Sequence, residues 1–402
     1  MKNRVVIKFG GASLSNGKKI REAAEKIINL PYEEIVIVVS AMGDTTNKLI
    51  ETISEIGKID DEDYAEIVSM GERISARFFS SALNFLGKKS IFLEPSQDNW
   101  PIITDSNFKN ANIDIEKTKI LIKKYLEPIL GSAIPVICGF LGKDINGNIT
   151  TLGRGGSDIT ALVLGNCLEA NEVILVKDTE GVFSTDPKIL PNARPIDKID
   201  IHEFFSLAHG GAKIIRAEAL KYKLPNQKIR IVSSSSNDFS KGGTEIIGVF
   251  NPDSFEIIMN KKLIAINIIC EINSENLCKI FSILNENPIH GISTGKNSIT
   301  IFTEINDLNK KIKELHDFSP FKAISYKEKI GMIQIINPIF IESPGWVARI
   351  AEALASKNIN IIEVTTSKAA INVFIDEDKI EEAIELIKKS LISNKKRDKN
   401  VS

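Results

Sequence analysis

Histidine and cysteine are scarce in this 402-residue chain, with four of each. Cys138, Cys167, Cys270 and Cys278 form no CxxC pair, and His202, His209, His290 and His316 show no ligand spacing beside them. A zinc or thiol-redox centre is therefore not expected, and the thiols read as reduced and mostly buried. Aromatic residues are 6% of the chain, and 51 Lys+Arg nearly cancel 52 Asp+Glu for a formal charge of -1. No basic field exists of the kind that holds nucleic acid. Long apolar runs are missing too: nothing approaches the ~20 residues needed to span a bilayer, and Lys8 interrupts the run that starts at Val5. The expectation is a cytoplasmic protein with neither membrane nor nucleic acid as partner.

What the chain does have is alternation. From Val5 to about Gly248, short apolar runs (VVIKF, IVIVVS, SIFLEP, PVICGFLG, EVILVKD, IRIVSS) are separated by stretches of helical period, beginning with Lys18–Leu30. This pattern predicts an α/β domain with a mainly parallel sheet, whose ligands gather at the carboxyl ends of the strands. Past KGGTEIIGVFNPDS the units shorten and repeat. SITIF (Ser298–Phe302) aligns with AINVF (Ala370–Phe374), and Lys296 and Lys368 keep the same register. Each copy reads as strand, helix, strand, strand, helix. The last helix carries Ile380, Ala383, Ile384 and Ile387 on one face, and the tail SNKKRDKNVS reads as a solvated end.

Several strand ends carry groups suited to anions. Lys8-Phe9-Gly10-Gly11 places a mobile cation beside a turn in which backbone N–H groups can approach a phosphate. Alone, that arrangement also fits a structural turn, and its spacing is not that of a Walker A loop. ITTLGRGGSDITALVLG sets Arg154, Gly155, Gly156, Ser157 and Asp158 ahead of an apolar helix, with Ser157 or Asp158 predicted to cap it. A helix start of this kind holds anions, and an arginine in the turn can grip a carboxylate with two bonds. VKDTEGVFSTDPK brings Lys177, Asp178, Gly181, Asp186 and Lys188 to another strand end, and GGAKIIR adds Lys213 at a predicted helix start. In SAMGDTTNKL, Thr45 and Thr46 open a helix. In SMGERIS, Glu72 and Arg73 are read in a helix beginning after Gly71, as either a receptor for an ammonium group or a surface ion pair.

Taken together, KFGGAS, SAMGDTTN, SMGERIS, TLGRGGSD, DTEGVFSTDPK and GAKI occur in an order that resembles the aspartate kinases of the amino-acid-kinase family, over nearly the whole chain. The resemblance implies a three-layer kinase domain at residues 1–250, followed by two ACT-like, ferredoxin-like α+β domains at 261–328 and 329–392. The second of these would be completed by a strand from 253–260. It implies transfer of phosphate from ATP, carrying Mg²⁺, to L-aspartate, the first step toward lysine, threonine and methionine. Lys8, Asp158 and Lys213 would be catalytic. Thr46, Glu72, Arg154, Gly155, Gly156 and Ser157 would hold aspartate, with Asp158 ordering the active-site cations. Lys8, Phe9, Gly10, Gly11, Lys177, Asp178, Phe183, Lys188, Lys213 and Ile214 would line the nucleotide, and no side chain would ligate metal directly.

Four positions depart from the family pattern: Ala12 stands where threonine is common, Lys177 where a hydroxyl residue is common, Phe183 for tyrosine and Lys188 for arginine. Ser343-Pro344-Gly345 keeps the family's turn in the second repeat, whereas the first has Asn273-Ser274-Glu275-Asn276. The paired repeats imply a homodimer or larger assembly, with lysine or threonine as candidate effectors. The chain ends soon after the second repeat, so no homoserine dehydrogenase extension is expected. Kinases acting on glutamate, N-acetylglutamate, carbamate or UMP are the neighbouring readings. A silent ligand sensor built on the same fold is the reading from another class.

Overall fold

The computed structural model describes residues 3–209, 215, 217–249, 255–318, 321–337, 339–342, 344–367 and 369–392. Lys213, Ile214 and the 393–402 tail lie outside these residues. The chain divides between residues 250 and 251 into two compact units. Among the described residues, no helix is long and apolar enough to cross a membrane.

In the first unit, strand β1 (Arg4–Phe9) leads through a short 3₁₀ turn to helix α1 (Gly17–Ile27), then β2 (Glu34–Val39), α2 (Thr45–Ile56), α3 (Asp61–Phe85) and β3 (Ser90–Leu93). There follow α4 (Ile115–Leu121), β4 (Ile134–Cys138), the hairpin β5 (Leu141–Lys143) and β6 (Ile149–Thr151), α5 (Gly156–Cys167) and β7 (Glu172–Lys177). The unit closes with β8 (Val182–Phe183), β9 (Pro195–Ile196), β10 (Lys198–Asp200), α6 (Ile201–His209), β11 (Lys228–Ser233) and β12 (Thr244–Ile247).

Eight strands form one sheet in the order β10-β12-β11-β7-β1-β2-β4-β3, parallel at every pairing except β11 with β12. Val5–Ile7 of β1 and Ile35–Val39 of β2 are runs of β-branched residues because both faces of these strands are covered, as central parallel strands require. The ring of Phe9 lies in this core, 5.1 Å from Phe79 and 5.7 Å from Phe239 between centroids. Each such aromatic pair adds roughly 0.5–1.5 kcal/mol beyond simple burial.

Two local expectations are corrected. Helix α3 starts at Asp61, so Gly71 lies inside it. Glycine is tolerated there because α3 crosses close to the loop after β2, where a Cβ on Gly71 would stand 2.7 Å from Cβ of Ala41. The residue capping α5 is Gly155, in the left-handed region at φ 74°, which only glycine adopts without cost. Ser157 and Asp158 sit within the first turn instead.

In the second unit, β13 (Glu256–Ile269) is followed by α7 (Ser274–Ile283), β14 (Ile289–Thr294), β15 (Ser298–Thr303) and α8 (Leu308–His316). Then come β16 (Ala323–Ile336), α9 (Ile339–Glu342), α10 (Trp346–Ala355), β17 (Glu363–Ser367), β18 (Ala370–Asp376) and α11 (Ile380–Ile392). The sheet order is β14-β15-β13-β16-β18-β17. β13 and β16 are each 14 residues long and serve both repeats. Glu256–Asn260 pairs antiparallel with Met332–Ile336, whereas Ala265–Ile269 pairs with Ala323–Lys327. The register slips between these segments, near Lys262 and Lys329, which take left-handed φ values of 62° and 59°. One apolar cluster lies under the helices of each repeat, and a third contains Phe302 and Phe374, stacked 3.8 Å apart.

Candidate active site

The carboxyl ends of β1, β2 and β7 meet the amino end of α5, and Lys8, Asp158 and Lys177 converge there. Lys8 is the penultimate residue of β1, Lys177 the last of β7, and Asp158 belongs to the first turn of α5. Lys8 Nζ stands 2.8 Å from Oδ1 of Asp158. Lys177 Nζ donates to both oxygens of the same carboxylate, at 3.1 Å and 2.9 Å. One carboxylate therefore serves two ammonium groups. Burial works against the charges of Lys8 and Asp158, but the two cations win at Asp158 and hold its carboxyl down at about 2. At Lys8 burial wins over the attraction of Asp158, the Lys177 charge adds to it, and the ammonium falls to about 8.

The glycine turn lies beside this cluster. Gly10 donates its N–H to the Val176 carbonyl at 3.2 Å, so that donor is engaged in holding β1 to β7 and is not displayed as the sequence suggested. Gly11 is a contact glycine: a Cβ there would meet the Ala41 carbonyl oxygen at 2.6 Å and that of Gly43 at 2.9 Å. Phe9 contributes its ring to the core, which leaves only its backbone at the turn.

Glu72, on α3, faces the loop after β2. It is buried rather than part of a surface pair, and its Oε1 accepts the Ala41 N–H at 2.9 Å. Its Oε2 has no hydrogen-bond partner. Burial pushes the carboxyl up to about 7, although the backbone bond and the nearby Lys8 charge oppose the shift. An acceptor in that state fits an incoming ammonium group, which would complete its hydrogen bonding. Arg73, beside it, instead joins Glu94 at 3.2 Å, and Arg77 reaches the other Glu94 oxygen at 2.7 Å. These bridges fix α3 against the end of β3.

The other sequence-derived residues fall nearby or on the following loop. Thr46 lies half-buried in the first turn of α2. Arg154 is exposed in the turn ahead of α5, while Gly156 and Ser157 are buried beneath it, Ser157 against the Gly139 backbone. Asp178 is exposed directly after Lys177. Phe183 pairs with Pro195 in the β8–β9 ladder, and the N–H of exposed Lys188 donates to the Asp186 carboxylate at 2.9 Å. Buried Thr244 anchors that loop, accepting from Val182 N–H at 2.8 Å and donating to the Ile196 carbonyl at 2.6 Å. The sequence reading missed the Ala41 N–H that orients Glu72, whose only signal is its place after a buried strand. It also missed Ser13, whose hydroxyl is buried without a partner directly after the glycine turn.

A model of the amino acid kinase family matches residues 3–233, and one of the ACT domain matches residues 325–389. The chain is 30% identical to the aspartokinase of Mycolicibacterium smegmatis over 410 residues, covering 94% of each sequence. Among solved structures it is similar to the aspartate kinase from Synechocystis, with a TM-score of 0.71 at 23% identity over 96% of this chain and 69% of that one. It is also similar to E. coli aspartokinase III in complex with aspartate and ADP, with a TM-score of 0.56 at 20% identity over 96% and 99%. At those identities the structural likeness establishes the fold. Matched by the family model over more than half its length, and 30% identical to an aspartokinase across nearly all of it, the chain belongs to the aspartokinases of the amino acid kinase family.

Proposed function

We propose that the chain phosphorylates L-aspartate with ATP, giving ADP and 4-phospho-L-aspartate, and so opens the route to lysine, threonine and methionine. The observation that carries this reading is the buried Lys8–Asp158 pair at the glycine turn, in the same unit as the half-satisfied Glu72. The acceptor carboxylate is ionised at neutral pH, so it needs no general base. Catalysis then consists of bringing two anions together and neutralising the charge on the transferred group.

In this reading Lys8 and Lys213 neutralise the phosphoryl group, and Asp158 keeps the cations in place. Glu72 receives the substrate ammonium, while Arg154, Ser157 and Thr46 hold carboxylate oxygen, with Gly155 and Gly156 allowing close approach. Asp178, Phe183, Lys188 and Ile214 line the nucleotide. Both oxygens of Asp158 already face ammonium groups, and among the described residues no three His, Cys, Asp or Glu side chains are grouped to hold a metal. This donor set fits an anion, so Mg²⁺ would enter on the ATP phosphates and be held by them. The metal would supply further neutralisation there.

The kinase domain occupies residues 1–250, with ACT units at 261–328 and 329–392, the second completed from 253–260. A homodimer or larger assembly, a cytoplasmic location, and lysine or threonine as effector complete the reading. Trapping with hydroxylamine tests it: ATP, Mg²⁺ and aspartate should yield aspartyl hydroxamate in step with ADP. ADP without hydroxamate, or neither product, would overturn it.

A further inference from the structure

Lys177 has a place in the charge cluster that a nucleotide contact alone does not explain. It ends β7 with its side chain 17% exposed and turned onto Asp158, where it bonds both oxygens, while Lys8 stands 2.8 Å from Oδ1. We propose that Lys177 is a positioning residue for phosphoryl transfer, holding the Asp158 carboxylate in a fixed plane and thereby setting where Lys8 stands and how strongly Asp158 competes for it. The chemistry rests on the kinase reading above; the geometry does not.

Among the described residues, three ionisable groups face Lys8: Asp158 from α5, Lys177 from β7 and Glu72 from α3. Asp158 strengthens the hold of Lys8 on its proton, and Lys177 weakens it. Without Lys177, Lys8 is the one cation paired with Asp158 among the described residues. Lys8 is then drawn tighter to the carboxylate and is less free to meet a phosphate. A neutral hydroxyl at position 177 would supply neither the charge nor the length to reach both oxygens. Arginine would keep the charge and the fork that a carboxylate accepts.

The test follows Lys8 directly, by NMR of ¹³C-lysine-labelled full-length protein titrated with pH, its resonance assigned through Lys8→Arg. In wild type and Lys177→Arg the midpoint should lie near 8, and in Lys177→Met at least about half a unit higher. Turnover should fall about tenfold or more in Lys177→Met and largely recover in Lys177→Arg. An unchanged Lys8 midpoint in Lys177→Met, or turnover that stays at the wild-type level, overturns the proposal. Should Lys177→Met lose its circular dichroism signal, Lys177→Thr is judged by the same criterion. Failure of the wild type to phosphorylate aspartate would sink the kinase reading, while the midpoints would still decide the role of Lys177.

Discussion

The ammonium of Lys8, near the end of the first strand, lies 2.8 Å from the carboxylate of Asp158, in the first turn of a helix far along the chain. Both groups are almost wholly buried, and Asp158 is shared with Lys177, which donates to both of its oxygens. Lys8→Ala should lower turnover by about three orders of magnitude, the scale of removing one preorganised charge from a transition state. Its thermal midpoint should move by only a few degrees, since Lys177 still pairs with Asp158. Steady-state kinetics beside calorimetry checks both parts, and a fully active variant would remove Lys8 from the chemistry.

Glu72 gives the account a pH signature. Its carboxyl is held at about 7 rather than 4.5, and a bound ammonium would favour the charged form. The KM for aspartate should therefore rise as pH falls below about 7, approaching tenfold per unit. Glu72→Gln should raise KM at neutral pH and flatten that dependence. Stability has the opposite sense. The unfolded chain ionises at its ordinary value and the folded one only near 7, so the folded state loses stability as pH rises from 4.5 to 7. Above that window Glu72→Gln should melt higher than wild type. Melting curves at pH 5 and pH 8 decide the point.

The local parts of this site were legible in the sequence because they are contiguous. KFGGAS and GRGGSD each put a cation, glycines and a polar group within one turn, and the alternation of strands and helices placed both at strand ends. The sharing of Asp158 was not legible. Lys8, Asp158 and Lys177 are brought together only by the strand order β7-β1-β2 and the packing of α5, and no local pattern encodes that register. For Glu72 the surface ion pair stayed open beside the ammonium receptor because a helix start after Gly71 falls eleven residues beyond Asp61, where α3 begins. With Gly71 taken as a boundary, the burial of the following turn was hidden. In the second unit the repeat was plain from SITIF and AINVF, yet the sharing of β13 and β16 by both halves depends on pairings that only folding reveals.

The two glycines of the turn should behave differently. A Cβ on Gly10 has room, its nearest neighbour being the Val176 carbonyl oxygen at 3.6 Å, but a Cβ on Gly11 collides with two backbone oxygens that cannot swing aside. Gly11→Ala should cost about 1–3 kcal/mol and lower the melting point by several degrees, whereas Gly10→Ala should melt near wild type. Equal melting points for the two would show that the turn is looser than its contacts imply.

Glu256–Asn260 lies along Met332–Ile336, and the proposed crossover from segment 253–260 can be tested by deleting it. Its deletion should leave β16 with an open edge at that end and abolish hydrogen-exchange protection across Met332–Ile336 and the adjoining β18. Protection of β14 and β15 should persist. Both repeats remaining protected would mean that the second folds without the borrowed strand.

The central claim is that a carboxylate, specifically that of aspartate, attacks ATP at the Lys8–Asp158 cluster. Its most direct test is ADP release with Mg-ATP and a panel of L-aspartate, L-glutamate, N-acetylglutamate, carbamate and UMP, repeated with lysine and threonine present. ADP release should depend on aspartate and be nearly abolished by Lys8→Ala. Release with another acceptor in preference to aspartate, or with none of them, would contradict it.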